Sequence, residues 1–169
     1  MLLSPRVAAS VLCVVVSMAC GASQPPPPTH PSPLLGYPMP SFESRTISGN
    51  PVISASFERH KVVVTFVASK CKACEQTLSA ANAVYKDDRE LVVVGVYPEK
   101  RAEGAVRVAS RLELRFPVVV DEDGVIARRF QVGDAVPTTF VVDSEGRVQW
   151  VGGADLTAEA LERAVAAAR

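Results

Sequence analysis

Val62-Val63-Val64-Thr65-Phe66-Val67 is a nearly unbroken β-branched and aromatic run that ends in Ala68-Ser69-Lys70. Such a run predicts a buried strand over 61–67 with His60-Lys61 as its polar entrance. The period then changes. Leu78, Ala81 and Tyr85 fall at helical spacing, predicting a helix over 71–87 that stops at the charged cluster Lys86-Asp87-Asp88-Arg89-Glu90. A second apolar strand is expected over 91–97, closed by Pro98. A helix over 101–114, a short strand over 116–120 and a helical turn or two over 124–132 follow. Residues 136–143 and 147–151, joined by Ser144-Glu145-Gly146, have the pattern of a β-hairpin. Leu161 and Val165 mark a closing amphipathic helix over 157–169. Upstream, 42–47 and 50–57, separated by Ser48-Gly49, read as two short strands or a hairpin. Alternation of strand and helix indicates a layered α/β domain with at least one parallel strand pair.

The chemistry lies where the first strong strand meets its helix, at Cys71-Lys72-Ala73-Cys74. Residues three apart on a helix have Cβ atoms about 5–6 Å apart, so these two thiols can bridge and reopen with little backbone movement. Cys71, at the helix start, faces unpaired amides and the positive end of the helix dipole, which favour a thiolate. That makes it the nucleophile candidate. Cys74, one turn in, suits a resolving thiol. Lys70 and Lys72 add positive charge on either side of Cys71, lowering its pKa further. Because they stabilise the thiolate, and so the reduced form, the disulfide is expected to be more oxidising than that of thioredoxin.

The N-terminus reads as an address. A single cation, Arg6, precedes an apolar stretch over 7–19, too short to span a bilayer core of about 20 residues but suited to a secretory signal. Ser17-Met18-Ala19 before Cys20 resembles the bacterial lipoprotein cleavage box, in which the cysteine becomes the lipidated first residue. Ser17 stands where that box usually has Leu, Val or Ile. Residues 24–40 hold Pro25 to Pro28 and then Pro31, Pro33, Pro38 and Pro40, a composition that favours an extended polyproline spacer. The expected organisation is a signal over 1–19, an anchor cysteine and linker over 20–40, and a domain over 41–169. The 169 residues thus suffice for one domain with a sizeable core.

Composition narrows the field. With 18 basic and 18 acidic residues, the chain offers no charge excess for nucleic acid. Of four cysteines, Cys13 and Cys20 belong to the leader, so the body is no disulfide-stapled scaffold. Structural zinc needs four ligands, and beyond the two body cysteines there are only His30 and His60, so no metal is expected.

Cys71-Lys72-Ala73-Cys74 and, about 65 residues on, Val136-Pro137-Thr138-Thr139-Phe140 together resemble the thioredoxin superfamily. The βα insert between them, the Asp143-Ser144-Glu145-Gly146 turn and the exported N-terminus look most like its TlpA-like redoxin branch, related to AhpC/TSA proteins. The resemblance covers roughly 40–169. It implies a thioredoxin-like fold, with a central mixed β-sheet flanked by helices. It implies a membrane-attached thiol-disulfide oxidoreductase needing no cofactor, with Cys71 and Cys74 as its catalytic pair. A cis Val136-Pro137 bond beside the cysteines, with the Val136 backbone pairing to substrate, also follows from it. The implied partners are substrate proteins with disulfides and a membrane-side thiol electron donor. The implied location is the bacterial cell envelope, on the periplasmic side, with a lipid on Cys20.

The chain departs from the family at several places. Lys70 replaces the usual tryptophan and Lys72-Ala73 the usual proline-containing pair. Thr77 stands where many members have a glutamate and Thr65 where thioredoxins have a buried aspartate, leaving Glu75 or solvent to take the proton of Cys74. The alternatives are a peroxiredoxin-like thiol peroxidase, which needs a Thr where Ala68 stands, and a non-enzymatic copper carrier on the same fold, which needs a later histidine. Tyr97 and Glu99 could border the substrate groove but read chiefly as solvated loop residues, and Trp150 as a packing or edge-strand residue.

Overall fold

The computed structural model describes residues 26–88 and 90–168. In chain order its elements are β1 (Glu43–Arg45), β2 (Pro51–Ile53), a 3-10 turn (Ser54–Phe57), β3 (Val62–Phe66), α1 (Lys72–Asp87), β4 (Val92–Tyr97), α2 (Glu103–Arg111), β5 (Val118–Val120), α3 (Val125–Arg129), β6 (Thr138–Val142), β7 (Val148–Gly152) and α4 (Ala158–Ala167). The expected signal over 1–19 and the anchor at Cys20 lie outside the described residues.

β3 lies at the centre of a five-stranded mixed sheet ordered β5-β4-β3-β6-β7. It runs parallel to β4 and antiparallel to β6, and β1 and β2 form a separate antiparallel hairpin. Both faces of the sheet are covered, which is why its central strands read as continuous apolar runs rather than as alternating ones. Alternate residues still point to opposite sides. Val63, Val67, Val93, Tyr97, Val141 and Trp150 join one core with Leu78, Ala81 and Val84 of α1, Val108 of α2 and Leu161 of α4. Val62, Val64, Phe66, Val96, Phe140 and Val142 join the other with Phe42, Val52, Ile126 and Phe130. Five phenylalanines pack together in this second core, mostly edge-on, and Phe130 lies 5.1 Å from Phe66, 5.2 Å from Phe140 and 6.0 Å from Phe42, centroid to centroid.

Two local devices hold the insert that separates the motifs. Buried Asp121 accepts from the amides of Ile126 (3.0 Å) and Ala127 (2.8 Å), satisfying the exposed donors at the start of α3. Buried Asn82 on α1 accepts from the Arg115 amide at 3.0 Å and donates to Glu113 O at 3.2 Å, pinning the α2–β5 connection to the back of α1.

The proline-rich segment differs from an extended spacer. From Pro27 onward it lies against β7: Thr29 and His30 donate to Val151 O, Gly36 donates to Val148 O, and Trp150 Nε1 donates to Pro27 O at 3.2 Å. Leu34 is buried in the second core, with Leu35 and Met39 packed against it. The prolines favour an extended chain, but Thr29, His30, Gly36 and Met39 supply the donors and apolar side chains that dock it along a sheet edge.

Candidate active site

The register of the sheet assembles the site. Phe66, last in β3, lies opposite Val96 near the end of β4 and opposite Thr138 at the start of β6. The loop leaving β3 therefore emerges between two others, the β4–α2 turn on one side and the turn into β6 on the other. That loop carries Ala68-Ser69-Lys70-Cys71, and the second turn carries Val136-Pro137.

Cys71 is the N-cap of α1, and its Sγ accepts from the Cys74 amide at 3.1 Å. The cap has extended backbone geometry, so the sulfur turns back over the first helical turn and its open amides. Cys71 and Cys74 are joined as a disulfide with Cα atoms 5.2 Å apart. Cys71 is partly exposed and Cys74 fully buried, so only one of the two sulfurs is open to a partner. The Ala68 amide points at the inner sulfur, 3.4 Å from Cys74 Sγ. Lys70 and Lys72 are both exposed beside the cap.

The Val136–Pro137 peptide bond is cis. Val136 packs against the core cluster that holds Cys74, as Cys71 does, and the β3–β6 pairing puts the Val136-Pro137 turn and the cysteine loop at the same end of the sheet. The Val136 amide donates to Asp134 O at 3.0 Å. Beneath both motifs, Thr65 and Thr139 are cross-strand partners whose buried hydroxyls bond at 2.9 Å, tying the cysteine-bearing strand to the proline-bearing one.

Glu99 is no solvated loop residue. Its carboxylate accepts from the Ser69 amide at 2.6 Å and the Ser69 hydroxyl at 2.9 Å, clamping the loop two residues before Cys71. The clamp needs Gly104, because a Cβ there would lie 2.4 Å from Ser69 Oγ. Ser69 and Glu99 are thirty residues apart, so the only local signal was an acid placed directly after a strand end and Pro98. Glu75, a candidate proton acceptor for Cys74, pairs with Arg111 at 2.5 Å. Thr77 is buried with its hydroxyl unpartnered among the described residues.

Tyr97 is likewise fully buried, and its hydroxyl finds no partner among the described residues. Burial, reinforced by the carboxylates of Glu99 and Glu75, pushes its pKa well above the ordinary 10.0. The unfolded chain ionises this phenol near pH 10 while the folded chain keeps the proton, so Tyr97 lowers stability as pH rises above about 10. Tyr97→Phe should remove that alkaline loss and leave the protein as stable at pH 7, or about 1–2 kcal/mol more so, by shedding an unpaired buried hydroxyl. Urea unfolding at both pH values checks this; clear destabilisation at pH 7 would show that the hydroxyl has a partner.

Known proteins share this architecture. The chain is 28% identical over 132 residues to the thioredoxin-like protein YneN of Bacillus subtilis, 76% of each chain being covered. It is 28% identical over 133 residues to the thiol-disulfide oxidoreductase ResA of Geobacillus kaustophilus, covering 76% of this chain and 75% of that one. A solved thiol:disulfide interchange protein of the thioredoxin family from Chlorobium tepidum superposes with a TM-score of 0.70 at 26% identity, over 83% of this chain and 96% of that chain. A secreted disulfide oxidoreductase from Mycobacterium tuberculosis has the same fold, with a TM-score of 0.69 at 24% identity, over 75% of this chain and 95% of that one. The AhpC/TSA family model matches residues 35–151, from the segment docked on β7 to β7 itself, and so takes in both the cysteine pair and the cis proline. With its thioredoxin-like sheet and a bridged cysteine pair at the head of α1, this chain belongs to the AhpC/TSA family.

Proposed function

We propose that this thiol-disulfide oxidoreductase is held at the periplasmic side of a bacterial membrane by a lipid on Cys20 and exchanges electrons with substrate-protein disulfides through Cys71 and Cys74. The observation that carries the reading is the unequal exposure of a bridged pair at a helix N-terminus, one sulfur open and the other buried.

In the reduced enzyme the Cys71 thiolate attacks one sulfur of a substrate disulfide. A mixed disulfide forms and the other substrate sulfur leaves as a thiolate that takes up a proton. Cys74, having given up its proton, then attacks Cys71 Sγ; the Cys71–Cys74 disulfide forms and the second substrate thiol is released. Two electrons have passed from enzyme to substrate, and a membrane-side dithiol donor restores the reduced pair by the same exchange. Lys70, Lys72 and the head of α1 favour the Cys71 thiolate, the Ala68 amide steadies the Cys74 sulfur, and the Thr65–Thr139 bond holds the two motifs in register. A substrate segment pairing with Val136 beside Pro137 exchanges the internal Val136–Asp134 bond for an intermolecular one.

The test is trapping in cells. Cys74→Ser should freeze partner proteins on Cys71 as mixed disulfides that dissolve in reductant, whereas the Cys71→Ser/Cys74→Ser double variant should trap none. In the same cells the wild-type chain should incorporate labelled fatty acid and Cys20→Ser should not. No trapping in an expressed, folded Cys74→Ser protein overturns the exchange reading; no fatty-acid label on the wild-type chain overturns the anchor.

A further inference from the structure

The surface beside the cysteine loop carries an excess of positive charge. Exposed Lys70 and Lys72 stand on either side of Cys71, and the β4–α2 turn adds exposed Lys100 and Arg101, with Arg107 one turn into α2. Lys100, Arg101 and Arg107 line a single open cleft together with Ser69, so they border the cysteine loop itself. The missing side chain of Gly104 lets α2 lie this close to that loop.

Of the acids of this region, Glu75 is neutralised by Arg111, whereas Glu99, hydrogen-bonded to the neutral Ser69, keeps its negative charge within the cleft. Among the described residues the ion pairs are Glu75–Arg111 and Glu159–Arg163, so none of the five cations is neutralised by one. The other acids nearby are Glu103 beside them, Glu122 at the outer rim, Asp134 on the turn leading to Pro137, and Asp155 next to the Leu156 and Thr157 that share a pocket with Lys72. Yet the whole chain has equal numbers of basic and acidic residues, so this excess is local to the redox end.

We propose that this basic face selects disulfide substrates whose cysteines are flanked by aspartate and glutamate, an acidic segment lying across Cys71 toward Lys100, Arg101 and Arg107. The inference rests on the oxidoreductase reading and names the substrate class for the same site. Clustered charge of one sign beside a reactive group raises the encounter rate of oppositely charged partners by roughly 10–10³-fold at low salt. The effect fades as ionic strength shortens the Debye length from about 30 Å at 0.01 M to about 3 Å at 1 M. Lys70 and Lys72 flank Cys71 in the chain and the other three share a cleft with Ser69, two residues before it, so a segment held there lies beside the reactive sulfur. That favours a reacting peptide over a membrane surface as the occupant.

The test measures second-order exchange rates of the reduced full chain with three disulfide peptides of equal length, flanked by Asp/Glu, by Ser/Gly or by Lys. At low salt the acidic peptide is expected to react at least about 10-fold faster than the neutral one and the Lys peptide more slowly, the differences collapsing near 1 M salt. K100E/R101E/R107E should reverse the order of acidic and Lys peptides while leaving the neutral rate within about 2-fold; K100Q/R101Q/R107Q, a milder change, should erase the preference. Equal rates for all three peptides, or a preference untouched by either variant, overturn this inference alone. No exchange with any peptide overturns the oxidoreductase reading as well. Phosphatidylglycerol vesicles that bind the protein at this face and block exchange with the neutral peptide would assign it to lipid headgroups instead.

Discussion

Cys71→Ser is expected to slow disulfide exchange on the order of 10³-fold or more, the scale seen when a nucleophile is removed from a working catalytic unit. Serine cannot form the mixed disulfide, and the remaining sulfur, on Cys74, is fully buried, so a substrate would need the site to open before meeting it. The fold should survive. Cys71 caps α1 by accepting from the Cys74 amide, and a serine hydroxyl at an N-cap does the same. Losing the bridge over so short a loop costs at most about 2 kcal/mol relative to the oxidised wild type, and nothing relative to the reduced one. A stopped-flow assay on a peptide disulfide, run beside thermal unfolding of both redox forms, separates the two effects. A Cys71→Ser protein that keeps a tenth or more of the wild-type rate would remove Cys71 from the role of nucleophile.

The largest effect on stability is expected from Phe130→Ala. Phe130 is fully buried just after α3 and touches three other rings, from β3, β6 and the segment before β1. Truncating a buried phenylalanine costs about 3–5 kcal/mol, from lost transfer energy and the cavity left behind. For a domain of this size that lowers Tm by roughly 10–15 °C, a large share of a typical total stability of about 5–15 kcal/mol. The ring lies on the face of the sheet away from α1, where Val62, Val64 and Phe66 point, whereas Cys74 belongs to the opposite core. Exchange by the fraction that remains folded should therefore change little. Calorimetry with exchange assays at 15 °C and 37 °C checks both halves, and a Tm within about 3 °C of wild type would mean that the aromatic cluster carries little of the core.

These experiments bear on the two sides of one sheet, and the sheet was largely visible in the linear pattern. The runs at 61–67 and 91–97 are β3 and β4 within a residue at either end, and the helix that begins at the first cysteine ends at Asp87 as the charged cluster requires. Residues 101–114 and 124–132 shrink to Glu103–Arg111 and Val125–Arg129, because helical periodicity continues into turns closed by other bonds. Glu113, at a φ of 49°, and Gln131, at 55°, mark where the chain leaves the helical path. Proline content alone pointed to a free spacer up to Pro40. It could not show that β7 leaves an edge to which that segment binds.

What the order of residues determined by itself is whatever depends on near neighbours. That includes the period of each element, the i,i+3 spacing that lets two thiols bridge, and the cap that seats one of them at a helix end. The tertiary structure alone decided which distant groups share the site. Glu99 reaches Ser69 only because β4 runs parallel to β3 and ends beside it. Lys100, Arg101 and Arg107 share a cleft with Ser69 of the cysteine loop only because Gly104 lets α2 lie against that loop. Such contacts depend on strand register and packing across dozens of residues, and no local pattern of hydrophobic and polar positions encodes them.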